Sequence, residues 1–273
     1  MAGERQVQLE YSELMGKMLD EEARTAKAHK LLEVVYHFLG RDDLDGLTVG
    51  DVGCSAGFIA AALAAAGGTT LGFDIDEPGV AKAGARFGDR ARFVLAAGDR
   101  LPLPDRSLDV IVFNHIYEHV VDPDAVVREL HRVLADDGVV YLGLANRLGV
   151  VEPHYRLPFL SYLPPGLADR YVRATGRGDQ YHERLRTRGS LRRLFRDFTV
   201  WDYTYSLIRE PERFAGEDIV PPAVRRLPSA AVRLVPVVPT FIWVATRSDL
   251  APAGDPLRTP PSLVHRAAHP GRV

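Results

Sequence analysis

Residues 49–67 read VGDVGCSAGFIAAALAAAG: a short apolar strand, a glycine-bearing turn and an alanine-rich helix. A strand-to-helix turn of this kind holds nucleotide-like ligands, and the placing of its small residues says which kind. The dinucleotide fingerprint G-x-G-x-x-G, set on Gly53, falls on Gly53, Ser55 and Phe58, so two of the three glycines needed beside a pyrophosphate are missing. A triphosphate loop requires a G-K-[ST] ending, and GCSAGFIA has none. Small residues recur instead every two positions, at Gly53, Ser55 and Gly57, led by Asp51. That spacing suits a ligand lying against the turn with no phosphates to cradle.

Downstream, apolar runs alternate with helical patterns. The runs are TTLGFDI, ARFVLAA, LDVIVFN and GVVYLGLA; the helical stretches are EPGVAKAGARFG and PDAVVRELHRVLAD. Strand and helix repeated in this way build a parallel sheet covered on both faces, and continuous apolar strands such as VIVF fit burial on both sides. In such sheets ligands sit outside the carboxyl ends of the strands. Asp74 ends the second strand, 21 residues beyond Gly53, where a carboxylate can accept from both hydroxyls of a ribose. Asp99 stands at the tip of the third. Gly53, Asp74 and Asp99 are therefore expected to converge on one crevice.

These segments, together with NHIYEHVVDPDAVVRELHRVLADDGVVYLGLANR, resemble the class I S-adenosylmethionine-dependent methyltransferases over about residues 47–147, and within them the branch acting mainly on small molecules. The resemblance implies a Rossmann-like α/β fold with seven strands, the last, TFIWVATR, antiparallel to the rest. It implies S-adenosyl-L-methionine as cofactor. Asp51, Gly53, Cys54, Ser55 and Gly57 would lie against the methionine part. Asp74, with Ile75 beside it, would hold the ribose, and Asp99 would approach the adenine amino group with Arg100 and Leu101 nearby. Asn114 and His115 would flank the cofactor near its methyl group. Ser55 replaces the family's usual middle glycine and is small enough for the turn. No metal is expected, and Cys54 reads as a small buried residue rather than a nucleophile.

Methyl transfer from a sulfonium needs mainly alignment, and a hydroxyl acceptor benefits further from a base, commonly histidine. The candidates are His154, His119, His182 and His115. His115 and His119 follow the fourth strand, where the Glu118–His119 pair can equally serve only to tie loop to helix. His154 opens a segment covering the sheet and His182 closes it; Tyr117 and Tyr155 read as pocket walls. A D/N-P-P-Y/F motif, suited to nucleobase amines, is absent after the fourth strand. The expected activity is O-methylation of a hydroxyl on a small molecule, glycan, glycolipid or secondary metabolite. Methylation at nitrogen or carbon of a quinone or polyketide-type ring remains open, as does a non-catalytic cofactor-binding regulator; Ser55 and Phe58 disfavour a nicotinamide oxidoreductase.

The chain of 273 residues is 46% hydrophobic and 26% charged, with a formal net charge of −2 that makes no electrostatic case for nucleic acid. Its one cysteine excludes a disulfide framework and fits a reducing compartment. With neither a secretory signal pattern nor an unbroken spanning run, a cytoplasmic location is expected. Residues 1–46 read as helices capping the site and 47–247 as the methyltransferase domain. A proline-rich insertion over about 147–188 reads as an acceptor lid, followed by a second irregular stretch at about 209–238. Residues 248–273, rich in Pro, Ala and Gly, read as a disordered tail. Residues 169–197 hold nine arginines against four acids, either a solvated face or an attractor for an anionic acceptor or a lipid surface. The partner is thus a small-molecule or glycoconjugate acceptor, with peripheral membrane contact compatible and oligomeric state open.

Overall fold

Val49 to Val52 are buried in the first strand, β1 (Thr48–Val52), so β1 needs a neighbour on each edge and a layer on each face. The computed structural model, which describes residues 20–217 and 238–268, provides both. β1 pairs in parallel with β2 (Thr69–Asp74) on one side and β4 (Leu108–Asn114) on the other, Asp51 standing opposite Gly72 and Val112. β3 (Arg92–Leu95) extends the sheet beyond β2, and β5 (Leu134–Ala145) lies beyond β4, again in parallel. The chain thus winds outward in two directions from β1. The crevice opens where the order reverses, at the carboxyl ends of β1 and β4.

The two faces of β4 show how the sequence covers the sheet. Ile111 and Phe113 point into a core formed with Leu130 and Val133 of α4 (Pro123–Val133) and Leu191 and Leu194 of α6 (Arg188–Leu194). Val110 and Val112 point the other way, towards Leu31, Val35 and Phe38 of α1 (Glu21–Leu39) and Ile59 and Leu63 of α2 (Phe58–Ala65). Alternate residues of one strand feed opposite cores, as a period of two demands. Two of the helices that open towards the crevice are capped by aspartates. Asp76 accepts from Gly79 N–H at the start of α3 (Glu77–Phe87), and Asp122 from Ala125 N–H at the start of α4.

Beyond β5 the sheet becomes antiparallel. β9 (Thr240–Thr246) runs between β5 and β8 (Thr199–Asp202), antiparallel to both, as expected for TFIWVATR. The expected seven strands are joined by an eighth, β10 (Ser262–His265), which pairs with β8 and gives the order β10-β8-β9-β5-β4-β1-β2-β3. This corrects the expectation of a disordered tail for residues 248–268. Ala253 and Gly254 N–H groups donate to the carbonyls of Phe38 and His37, and Thr259 N–H donates to Glu210. The Trp201 indole donates to Leu250. A segment poor in intrinsic structure is ordered because partners elsewhere in the fold satisfy its backbone. Gly254 is a packing requirement: a Cβ there would lie 2.5 Å from the His37 carbonyl oxygen.

Three further differences are local. The stretch FTVWDYTYSLI, whose apolar and aromatic residues predict strand throughout, is strand only to Asp202, whose carboxylate accepts from Thr204 N–H at 2.9 Å and pairs with Arg188; this turns the chain into α7 (Thr204–Arg209). The helix expected to reach Asp136 ends at Val133, where β5 begins. The insertion after β5 has its own structure: a hairpin of β6 (Val151–Glu152) and β7 (Leu157–Pro158), then α5 (Pro165–Ala174), around Leu157, Leu160, Ala168 and Val172. Residues 1–19 of the expected N-terminal helices, 218–237 of the second irregular stretch and 269–273 of the expected tail lie outside the described residues.

Candidate active site

The turn after β1 is built on three left-handed residues, Gly53 (φ 86°), Ser55 (φ 47°) and Gly57 (φ 83°). Small residues recur every two positions because alternate residues take a backbone conformation that a Cβ disfavours. At Gly53 space matters as well, since a Cβ would come within 2.1 Å of Ile116. Gly53 and Cys54 N–H groups both donate to the Phe73 carbonyl, and Ser55 N–H donates to Asp74 Oδ2 at 2.7 Å. Asp74 Oδ1 accepts from Asp76 N–H at 2.9 Å. Each carboxylate oxygen keeps a further lone pair for a ligand hydroxyl.

Turn and strand tips enclose a cavity of about 700 Å³. Among the expected residues, Asp51, Gly53, Cys54, Ser55, Asp74, Ile75, Asp99, Asn114, His115, His119 and His154 line it. Gly57 sits behind the turn as the N-cap of α2, against Ala83 and Phe93. Arg100 is exposed and lies outside the lining. His182 is exposed too, on the segment leading to α6, and is not brought to the cavity. Tyr117 is no pocket wall: fully buried, its hydroxyl donates to Ala145 and accepts from Arg186 N–H, tying the loop after β4 to both ends of the insertion. Tyr155 belongs to the small core of the insertion. The nine arginines of 169–197 also lie outside the lining, and Arg186 and Arg188 pair with Asp124 and Asp202.

Asp51 is buried and its Oδ2 has no hydrogen-bond partner among the described residues. Burial, followed by the charge of Asp74, pushes its pKa up to about 7 against the opposing influence of Arg24. The buried Ser55 Oγ likewise lacks a partner. An acceptor and a hydroxyl left over in a cavity wall fit the ammonium and polar end of an amino acid, while Asp74 offers the ribose its remaining lone pairs. The residues present therefore fit S-adenosylmethionine. Cys54 is buried with its pKa raised well above the ordinary value, by burial first and then by Asp51 and Asp74, so the thiol stays protonated.

Two cationic residues that the sequence reading did not single out, Arg24 and Lys27 of α1, also line the cavity. Burial and then Arg24 bring the Lys27 ammonium down to about 8, opposed by Glu118. They continue, towards the helix start, the same face as Ala28, Leu31 and Val35, and a pair of cations opening an otherwise apolar stripe is the pattern that could have found them.

The opposite wall is histidine. His115 directly follows β4 with φ 59°, an uncommon conformation for a residue with a Cβ, and its Nδ1 lies 3.2 Å from Glu118 Oε1. Burial and then Lys27 depress the His115 pKa against the pull of Glu118. Burial opposes ionisation of the fully buried Glu118, yet its bond to His115 and the fields of His115, His119 and His154 outweigh that and hold its pKa low. His154 stands at the turn of the β6–β7 hairpin, its Nδ1 2.7 Å from the buried Glu152. Its ring meets that of His119 edge to face at 5.0 Å.

The methyltransferase domain family matches residues 50–142. An uncharacterized methyltransferase of Mycobacterium sp. (strain JLS) is 37% identical over 48% of this chain and 52% of its own length. The chain thus spans about half the length of the first curated relatives it matches. The ubiquinone biosynthesis O-methyltransferase of Pseudomonas putida (strain GB-1) is 27% identical over 62% of this chain and 77% of its own. Among solved structures, a chain of the complex between the Haloferax volcanii Trm112 methyltransferase activator and a methyltransferase has the same fold, with a TM-score of 0.54 and 19% identity over 91% of this chain and 99% of that one. Sheet order, turn and these similarities agree: residues 50–142 form a methyltransferase domain of the class I S-adenosylmethionine-dependent type, with S-adenosylmethionine its cofactor.

Proposed function

We propose that this protein methylates a hydroxyl group of a small molecule, glycan, glycolipid or secondary metabolite. The observation that carries this reading is His115, an imidazole held by a buried carboxylate at the tip of a central strand and bordering the cavity. When bound, S-adenosylmethionine supplies an electrophilic methyl on a sulfonium, so the chain itself has to orient the acceptor and dispose of its proton. Asp51 takes the ammonium, Asp74 the ribose hydroxyls and Asp99 the adenine edge. His115 donates Nδ1–H to Glu118 and so presents a basic Nε2 to the acceptor hydroxyl. The nearby His154 is bonded to Glu152 and also surrounded by Glu183 and Glu118; these outweigh burial and raise its pKa, making it the poorer choice for a base that starts neutral.

Pro153 and His154 bring the insertion to the cavity mouth, which supports its role as the acceptor lid. Val150, Val151, Phe159 and Leu167 are exposed on it, supporting a partly apolar acceptor or one presented at a lipid surface. Among the described residues no helix is long and apolar enough to cross a membrane. Calorimetric titration with S-adenosylhomocysteine, beside NAD, tests the cofactor. Comparison of metabolites from cells with and without the protein, searching for a pair differing by one CH₂, tests the transfer. Binding of NAD without binding of S-adenosylhomocysteine overturns the reading.

A further inference from the structure

Glu118 and His119, from the turn after β4, meet His154, from the hairpin of the insertion, and both histidines line the cavity. One ligand atom of each lies within 4.8 Å of the other two. A metal bound by imidazole nitrogen and carboxylate oxygen at roughly 2.0–2.2 Å spaces its tetrahedral ligands about 3.3 Å apart. Small side-chain rotations therefore suffice to close the triad. We propose that Glu118, His119 and His154 bind a divalent first-row transition-metal ion, leaving its remaining positions for water or an acceptor oxygen.

Three observations beyond the clustering point to a cation. The first is the support behind the ligands. Glu152 Oε1 holds His154 Nδ1 at 2.7 Å, while Glu152 Oε2 takes the N–H groups of His154 and Tyr155 at 2.8 and 2.7 Å. Glu152 is thus committed to orienting His154, whose Nε2 remains for a metal. This carboxylate–histidine arrangement is the one that fixes tautomer and ring angle in metal sites. His115 does the same for Glu118 from the other side.

The second is charge. Glu118, Glu152 and Glu183 are 0%, 1% and 5% exposed, and all three act electrostatically on His154. Glu183 Oε2 is buried without a hydrogen-bond partner among the described residues. Three carboxylates buried this close together repel one another even with their hydrogen bonds made, so further positive compensation is favourable. A dication between the imidazoles and Glu118 provides it. The third is the donor set. Two imidazoles and one carboxylate with open positions suit Zn²⁺, Mn²⁺, Fe²⁺ or Co²⁺, whereas Mg²⁺ and Ca²⁺ favour all-oxygen sites.

The consequence for transfer rests on the hydroxyl-acceptor reading above. A hydroxyl oxygen coordinated to the metal becomes more acidic and gives its proton to His115 Nε2. The oxygen lone pair then forms the bond to the methyl carbon, and the carbon–sulfur bond breaks with its electrons remaining on sulfur. An ether and a neutral thioether result, with the proton on His115.

Co²⁺ titration of the chelator-stripped 273-residue chain, followed by its visible d–d absorption, tests the site, with S-adenosylhomocysteine calorimetry on the same samples. We expect one Co²⁺ per chain, displaced by Zn²⁺. His154→Ala and, separately, His119→Gln should abolish the absorption while homocysteine-adduct binding persists, and His182→Ala should leave both unchanged. Glu152→Gln should weaken the metal roughly 10–100-fold. Failure of the unaltered chain to take up stoichiometric Co²⁺ or Zn²⁺ overturns the site, and would mean that a protonated His154 balances the carboxylates. Uptake that survives both histidine substitutions overturns it as well. Metal uptake without S-adenosylhomocysteine binding would leave the site standing and sink the cofactor reading instead.

Discussion

The Ser55 N–H donates to Asp74 Oδ2 at 2.7 Å, so the acid proposed to hold the ribose also fastens the glycine turn to the second strand. Binding and local architecture share one carboxylate. Asp74→Ala should therefore lower S-adenosylhomocysteine affinity by about 1.5–3 kcal/mol, as for hydrogen bonds to a charged group, and lower the melting temperature as well. Calorimetry together with thermal denaturation checks both. Unchanged affinity would remove Asp74 from the ligand site, whatever happens to stability.

Asp51 predicts a pH-dependent trade between stability and binding. Its folded-state pKa is raised from 3.8 to about 7. A raised acid contributes stability that is fully present below the unfolded pKa and is lost as pH rises through the folded value. The facing charges, Asp74 and Arg24, act in opposite directions and leave burial dominant. Asp51→Asn escapes this loss. Its advantage in the ligand-free protein should grow from about pH 4 to pH 7 and level off above, reaching at most on the order of 4 kcal/mol. Over the same range it should bind S-adenosylhomocysteine less tightly, for want of a carboxylate opposite the ammonium. Denaturation curves at pH 4.5 and 8 that differ equally from the parent protein would contradict the assignment.

Gly53 has two requirements that a double substitution separates. Gly53→Ala places a Cβ at φ 86° and 2.1 Å from Ile116. The left-handed conformation costs about 1–2 kcal/mol and overpacking about 1–3 kcal/mol. In Gly53→Ala/Ile116→Ala the packing component should disappear and the backbone component remain. Urea denaturation of the four members of the cycle measures the coupling, and strict additivity would mean that Ile116 does not limit the turn.

His115→Ala should reduce the maximal methylation rate by roughly 10²–10⁴-fold, the usual contribution of a positioned base, with S-adenosylhomocysteine affinity nearly unaltered. Single-turnover rates at saturating cofactor report the chemical step. Turnover equal to that of the parent protein would move the proton acceptor elsewhere.

Residues 248–268 should resist limited proteolysis, because their backbone groups bond to α1 and β8. Gly254→Ala should release them. Its new Cβ would meet the His37 carbonyl at 2.5 Å, loosening the contact of this segment with α1 and exposing it to cleavage ahead of the parent chain. Equal cleavage rates in mass-spectrometric time courses would show that the segment is held independently of that contact.

The order of strands and helices through residue 145, the turn with its small residues at Gly53, Ser55 and Gly57, and the strand-tip positions of Asp74 and Asp99 could all be read from the chain alone. Each depends on neighbours in sequence: a hydrophobic period, a small residue where φ is positive, an acid at a strand tip. Tertiary structure alone decided which histidines meet. His119 and His154 come together because a hairpin folds back over the sheet, and His182, in an equally suggestive segment, is left outside. It also decided the fate of the proline-rich end, whose composition predicts disorder but whose backbone is completed by Phe38, His37 and Trp201. Local propensity carries no record of partners so distant along the chain, and it is those partners that set both the histidine wall and the eighth strand.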